Sequence, residues 1–349
     1  PFSVAVGYLF PLFVTRVALS GPQGTKRVAW AYVWNSLGSI VGALVGGFGL
    51  FSWADPPTIW CWNIYAFLGL AVLLAASRLK SIPGRQERMA LVFVAVAALL
   101  MSFARGPTTA WRQSLASAKM GRNLLRGPNE VRDLLNGSRR AIQWKGEGAE
   151  YQSTVESRDG YSVYQHGQPT GDVWYSHGAE TMTGILGGVV VHGLERAMVV
   201  GLGTGVLVDA VASINSVDSI TVVERDSMAL DIAGVFRPVN GDVLGNPRVR
   251  ISHQSAFDAL GEQAEGYDLI INQNSDPFRG GGGGTNSLEF YQEAAMRLSD
   301  RGAFFQVVPV EDVLPQALRT MTVTLRSVFP SVEIWEVGWG RTLVFVARR

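Results

Sequence analysis

Cysteine is almost missing from this chain. The 349 residues hold one, Cys61, which excludes a disulfide framework and a cysteine zinc site. Histidine is scarce as well, and His166, His177, His192 and His253 show no metal-ligand spacing with each other or with acids. Neither charge dominates: 30 Lys and Arg face 29 Asp and Glu, so nothing in the balance points to a nucleic-acid partner. No Walker loop is present, and no Ser-His-Asp order of a nucleophilic triad. Acids are also absent from the middle of the apolar runs, which leaves no relay for a proton-coupled pump.

What is plentiful is apolar weight, and it is unevenly spread. Hydrophobic residues make up 47% of the chain and mean hydropathy is +0.16, with the excess gathered in the first third. Four runs have the composition of membrane spans: Phe2–Leu19, Val28–Phe51, Ile59–Ala76 and Met89–Ala104. The second carries Gly38, Gly42 and Gly46 at G-x-x-x-G spacing, which predicts close helix packing. The chain opens inside an apolar run without an initiating Met, so the expectation is a fragment of a longer multi-pass protein of a bacterial inner membrane, with lipid as a partner. Lys26, Arg27, Arg78, Lys80, Arg85 and Arg88 fall in the first and third connections, which the positive-inside rule puts in the cytoplasm. The basic residues Arg105, Arg112, Lys119 and Arg122 after the last run pull against that topology.

The expected organisation is therefore a transmembrane helical bundle over 1–104, a juxtamembrane linker over 105–138 and a further domain over 139–349. Within that domain, 139–176 alternates apolar and polar residues around glycine turns and predicts a small antiparallel sheet. From 177 onward strands and helices alternate, which predicts an α/β Rossmann-like core with a doubly wound sheet. Its opening unit is "RAMVVGLGTGVLVDAVAS": a strand, the turn Gly201-Leu202-Gly203-Thr204-Gly205, then a helix. The next strand, "SITVVERD", ends in Glu224. Glycines let a ligand approach the backbone, and an acid at that place accepts both ribose hydroxyls, so nucleotide or nucleoside binding is expected. The spacing alone leaves open a dinucleotide or S-adenosylmethionine, although G-x-G-x-G leans toward the latter.

These residues resemble the polyamine aminopropyltransferases, or spermidine synthases, and in particular a bacterial form in which membrane spans precede the domain. The likeness rests on Tyr151-Gln152, "VVGLGTG", "VVERD", "NPRVRI" and "YDLII…SDP…SLEFYQEAAMRLSDRGAFFQV", with "WNSLGSIVGALVGGFGL" in the first third. The resemblance implies transfer of an aminopropyl group from decarboxylated S-adenosylmethionine to an amine, without a metal. It implies that Gly201, Gly203 and Gly205 face the nucleoside and the methionine-derived chain, that Glu224 holds the ribose, and that Gln152 touches the sulfur side. Relatives of this kind are commonly oligomers, so a homo-oligomer is an expected partner state. The supply of adenosylmethionine inside the cell favours a cytoplasmic domain.

The chain departs from the family's pattern where the amine should bind. Gln273 stands where an aspartate serves as base, and Gln cannot take a proton at neutral pH. Asp276 survives as the second acid of that motif and is expected to steer the amine. Thr204 replaces an acid of the glycine turn, and Ser255 the acid that meets the adenine amine. The segment "HGAETMTG" retains Glu180 alone among the expected amine-binding acids. Gly280–Gly284 takes the place of a gate loop. The leading expectation is aminopropyl transfer with Asp276 and Gln273 as catalytic candidates. The rivals are an S-adenosylmethionine-dependent methyltransferase, which would prefer the carboxylate-bearing cofactor, and a non-catalytic nucleoside-binding sensor or transport-associated module.

Overall fold

The chain divides into two compact units, Pro1–Ala104 and Arg105–Arg349. The computed structural model describes residues 11–19, 21–50, 56–77, isolated positions between 89 and 140, then 141–147, 152–157, 160–165, 168–173, 176–262, 266–273, 283–310, 313–338, 340 and 342–349.

In the first unit two long helices are described, α1 (Gly24–Leu44) and α2 (Pro56–Ser77), and α1 runs on into a π-helical turn, Val45–Gly49. Here the expectation of a multi-pass inner-membrane protein is overturned. Among the described residues no helix is long and apolar enough to cross a membrane. The reason is dilution: α1 mixes its apolar residues with Lys26, Arg27, Asn35, Ser36, Ser39 and three glycines, Gly24, Gly38 and Gly42. The first half of α2 carries Pro56, Pro57, Thr58 and Asn63 among its large rings. A methyl group built on Gly38, Gly42 or Gly46 would meet nothing within 4 Å, so the small-residue spacing serves no close helix contact among the described residues. Most of the fourth expected span and of the linker lies outside the described residues.

The second unit opens with the antiparallel sheet expected there. Its strands β1 (Ile142–Glu147), β2 (Gln152–Ser157), β3 (Tyr161–Gln165) and β4 (Gln168–Asp172) pair in chain order. The alternation that predicted it now has a purpose. Val155 and Val163 point inward and pack on Ile232 and Phe236 from the main domain.

The main domain is a seven-stranded sheet of order β10-β11-β9-β8-β5-β6-β7. Its parallel members are β5 (Arg196–Val200), β6 (Ser219–Val223), β7 (Val249–Ser252), β8 (Tyr267–Asn272) and β9 (Leu298–Pro309). The central strands β5, β6 and β8 carry runs of Met, Val, Leu and Ile because both faces are covered. On one face α3 (Ser176–Val190), α4 (Val206–Ala212) and α5 (Met228–Val235) contribute Leu186, Leu207, Val211 and Ala229 to a core with Val199, Val222 and Ile271. On the other face lie α6 (Ala256–Glu262), α7 (Leu288–Arg297) and α8 (Pro315–Val328), with Phe290, Tyr291 and Leu325 against Met198, Ile270 and Phe304. Each such large side chain contributes about 1.5–3 kcal/mol on burial. The hairpin β10 (Ser331–Val337) and β11 (Thr342–Arg348) closes one edge antiparallel. This is a Rossmann-like fold.

The topology sets the position of the site. From β5 the chain moves outward through β6 to β7, then returns to lay β8 on the other side of β5. The strand order reverses between β5 and β8, and ligands of open α/β sheets bind outside the carboxyl ends of strands at such a point.

Candidate functional site

The turn after β5 sits at that reversal. Its three glycines take φ of 93° (Gly201), 56° (Gly203) and 84° (Gly205), left-handed values that a side chain resists. Gly205 is also held by space: a Cβ there would lie 2.7 Å from Val243 Cγ1 and 2.9 Å from Asn240 Nδ2. Gly201 N–H donates to Val223 O at 2.8 Å, which ties the turn to the end of β6.

Glu224, the first residue past β6, turns its carboxylate onto that turn. Leu202 N–H donates to Oε2 at 3.0 Å and Asp226 N–H donates to Oε1 at 2.9 Å. Two charge-assisted bonds fix the carboxylate in one orientation. A cleft opens beside it, lined by Val200, Gly201, Val223, Glu224, Ser255 and Thr285 among others. Ser255 stands at the start of α6, donating from Oγ to Asp258 Oδ2 at 2.7 Å and accepting from Asp258 N–H at 3.1 Å. It faces the cleft but is engaged with its own helix. Three of the expected nucleoside contacts, Gly201, Glu224 and Ser255, thus meet at one cleft.

The other side of the turn is built differently. Gln273 follows β8, and its Nε2 donates to Gly201 O at 2.6 Å. Its amide is therefore a brace between two strand ends, a bond that an ionised carboxylate has no proton to make. Thr204 is buried and donates from Oγ1 to Glu180 Oε2 at 2.6 Å. Glu180 reaches it from α3, and Asp172 stands at the end of β4 before that helix, accepting from Ser176 N–H and Ser176 Oγ at 3.4 Å each. As a residue Glu180 keeps partial contact with solvent, but its carboxyl is enclosed. Burial pushes that carboxyl up to about 7, and nearby Asp172 adds to the rise, while the Thr204 hydroxyl and the Leu207 N–H pull it back.

Several residues that sequence reasoning passed over hold this arrangement. Asn240 is buried and donates from Nδ2 to Thr204 O and to Ala233 O, at 2.8 Å each. Asn272, buried beneath Gln273, donates to Thr285 O and to Gln306 Oε1 at 2.9 Å each, which fixes the backbone at the rim of the cleft. An Asn before Gly, as in "VNG", usually marks a turn, so the sequence held no sign of the first contact. A polar residue ending an otherwise apolar strand was the sign available for Asn272.

Asp276 and Gly280–Gly282 lie outside the described residues, as does the side chain of Gln152. Gly283 and Gly284 belong to a short 3₁₀ turn, Gly283–Asn286, that leads into α7. His192 falls in the exposed turn after α3, and His253 meets Glu224 O at 3.1 Å. Arg237 pairs with Asp242 at 2.6 Å on the surface.

Residues 177–337 match the spermine/spermidine synthase domain. That segment resembles a spermine/spermidine synthase domain. Among curated proteins, a polyamine aminopropyltransferase of Alkaliphilus metalliredigens is 29% identical over 146 residues, covering 41% of this chain and 51% of the relative. The same enzyme of Lachnospira eligens is 27% identical over 145 residues, with 41% and 50% covered. The chain thus spans about half the length of the curated relatives it matches. Among solved structures, a spermidine synthase in complex with the transition-state analogue AdoDATO superposes with a TM-score of 0.56 at 16% identity, covering 60% of this chain and 74% of that one. The spermidine synthase of Thermotoga maritima gives 0.54 at 15% identity, with 59% and 72% covered. At such identity the likeness is one of fold. Fusion to membrane helices finds no support in these matches.

Proposed function

We propose that this domain transfers an aminopropyl group from decarboxylated S-adenosylmethionine to an amine. The observation that carries the reading is the meeting, at the strand-order reversal, of a three-glycine turn with a carboxylate held by two backbone N–H groups. A ribose diol needs two acceptor oxygens in fixed positions, and Glu224 offers both beside a cleft. The glycines leave room for a chain to run along the turn without meeting a Cβ. The residues present fit the nucleoside.

The chemistry asks little more of the protein than position. A neutral amine attacks the carbon next to a sulfonium, the C–S bond breaks, and the electron pair leaves with sulfur as a thioether. Holding the two reactants in line supplies much of the rate in such a displacement. Gln273 keeps the turn in place through Gly201 O, and Asp276 is the candidate to orient the amine. Gln273 is not the base. The same Gln273 contact favours a second reading, in which the nucleoside binds without turnover, since the amide occupies the place of a proton acceptor.

The test is turnover by the full chain. Decarboxylated S-adenosylmethionine is mixed with a panel of mono- and diamines, and methylthioadenosine is quantified. Amine-dependent release is expected, and binding without release for every amine would establish the second reading instead.

A further inference from the structure

The cleft beside the glycine turn runs across the ends of three neighbouring strands. The turn follows β5, Glu224 follows β6 and Ser255 lies beyond β7, with β6 between the other two in the sheet. A nucleoside whose ribose sits on Glu224 and whose 5′ chain follows the glycines therefore lays its base toward Ser255. The walls at that end suit a flat ring. Val223 and Ala256 are apolar and buried, and the Phe257 ring stands across from Gly284, where a Cβ would lie 3.9 Å from Phe257 Cε2.

What the base meets there turns on one hydrogen. The Ser255 hydroxyl donates to Asp258 Oδ2 at 2.7 Å, and its oxygen accepts from Asp258 N–H at 3.1 Å. A hydroxyl has one hydrogen and two lone pairs, and a carboxylate can only accept, so the first bond cannot run the other way. The hydrogen and one lone pair are thus committed to α6, and a lone pair is what Ser255 has left for a ligand. Gln254 lines the same end, but its amide carries both a donor and an acceptor and selects neither kind of base edge by itself.

We propose that the Ser255–Asp258 pair makes the cleft select a base that presents an amino group, with Ser255 as the contact and Asp258 as the positioning residue that keeps the hydroxyl an acceptor. This rests on the nucleoside reading of the cleft and not on turnover. A 6-aminopurine gives an N–H to the remaining lone pair. A 6-oxopurine brings a carbonyl oxygen against it, and two acceptors then face each other with no hydrogen between them. Asp258 is not among the residues that line the cleft; it acts on the ligand through the hydroxyl it holds.

The test is calorimetric binding of 5′-methylthioadenosine and 5′-methylthioinosine to the full chain, as wild type, Asp258→Ala, Ser255→Ala and Ser255→Thr. The two ligands differ only at the amino-or-oxo edge of the base. Damage to the fold, to the helix cap or to the ribose contact lowers both affinities together and leaves their ratio unchanged. Wild type should favour the amino form by about 10-fold or more, the penalty for an acceptor left without a donor. Asp258→Ala frees the hydroxyl to turn and donate, and should cut the preference to about 3-fold or less, mainly by tightening the inosine ligand. Ser255→Ala should lose the preference by weakening the adenosine ligand, and Ser255→Thr, which keeps the hydroxyl, should retain it. Equal binding of the two ligands by wild type, or an undiminished preference in Asp258→Ala, would overturn the proposal while the nucleoside reading stands. Binding of neither ligand by wild type would remove the nucleoside reading and the proposal with it.

Discussion

The two sides of the glycine turn have been built for different tasks. On the Glu224 side every contact is fixed: a fully engaged carboxylate, a capped helix start at Ser255, and strand ends tied together through Gly201 N–H. On the Thr204 side the groups are an amide brace and an acid that sits half ionised near neutral pH. One side offers a carboxylate held in a single pose, and the other ties the turn to β8 and α3.

Substitutions that strike each side in turn sharpen this contrast. The largest effect is expected from Glu224→Ala, which removes the carboxylate proposed to accept the ribose and takes from the Leu202 and Asp226 N–H groups their bonds to it. Nucleoside affinity measured by calorimetry should fall by about 10²-fold or more, at about 1.5–3 kcal/mol for each hydrogen bond to a charged group. Gly205→Ala comes next, since it combines a left-handed φ with contacts that have no room for Cβ. Chemical denaturation should show a loss of about 3 kcal/mol.

Glu180→Gln should move stability the other way at high pH. The folded acid holds its proton up to about 7 against 4.5 in an open chain, so its stabilising share is complete below the unfolded value and is lost as pH rises through the folded one. The Gln variant should then be more stable than wild type by about 2 kcal/mol at pH 8, with the difference vanishing near pH 4. The smallest effect belongs to the brace. Gln273→Ala and Gln273→Glu should each cost about 1 kcal/mol at neutral pH, because a carboxylate has no proton to give Gly201 O. Rescue by Glu would show that the amide is not what the turn requires.

How much of this was legible in the sequence follows from the range of each interaction. The strand, turn and helix around Gly201 are local, and their glycine spacing announced them, as did the acid ending the next strand. The alternation in residues 139–176 likewise foretold the small sheet. The Glu180–Thr204 bond joins groups 24 residues apart, and the Gln273 brace spans 72, so both depend on the sheet order. Resemblance marked Thr204 and Gln273 as altered, while the fold showed what they touch. The apolar first third misled for another reason. Composition counted the apolar residues of α1 but not the charged, amide and glycine positions that dilute it as a span.

The most direct test of the central claim is calorimetric binding of decarboxylated S-adenosylmethionine, S-adenosylmethionine and methylthioadenosine to the full chain. The account predicts that all nucleoside affinity depends on Glu224 and that the decarboxylated form binds more tightly than the carboxylate-bearing one. Tighter binding of the carboxylate-bearing form, or no binding of any of the three, would contradict it.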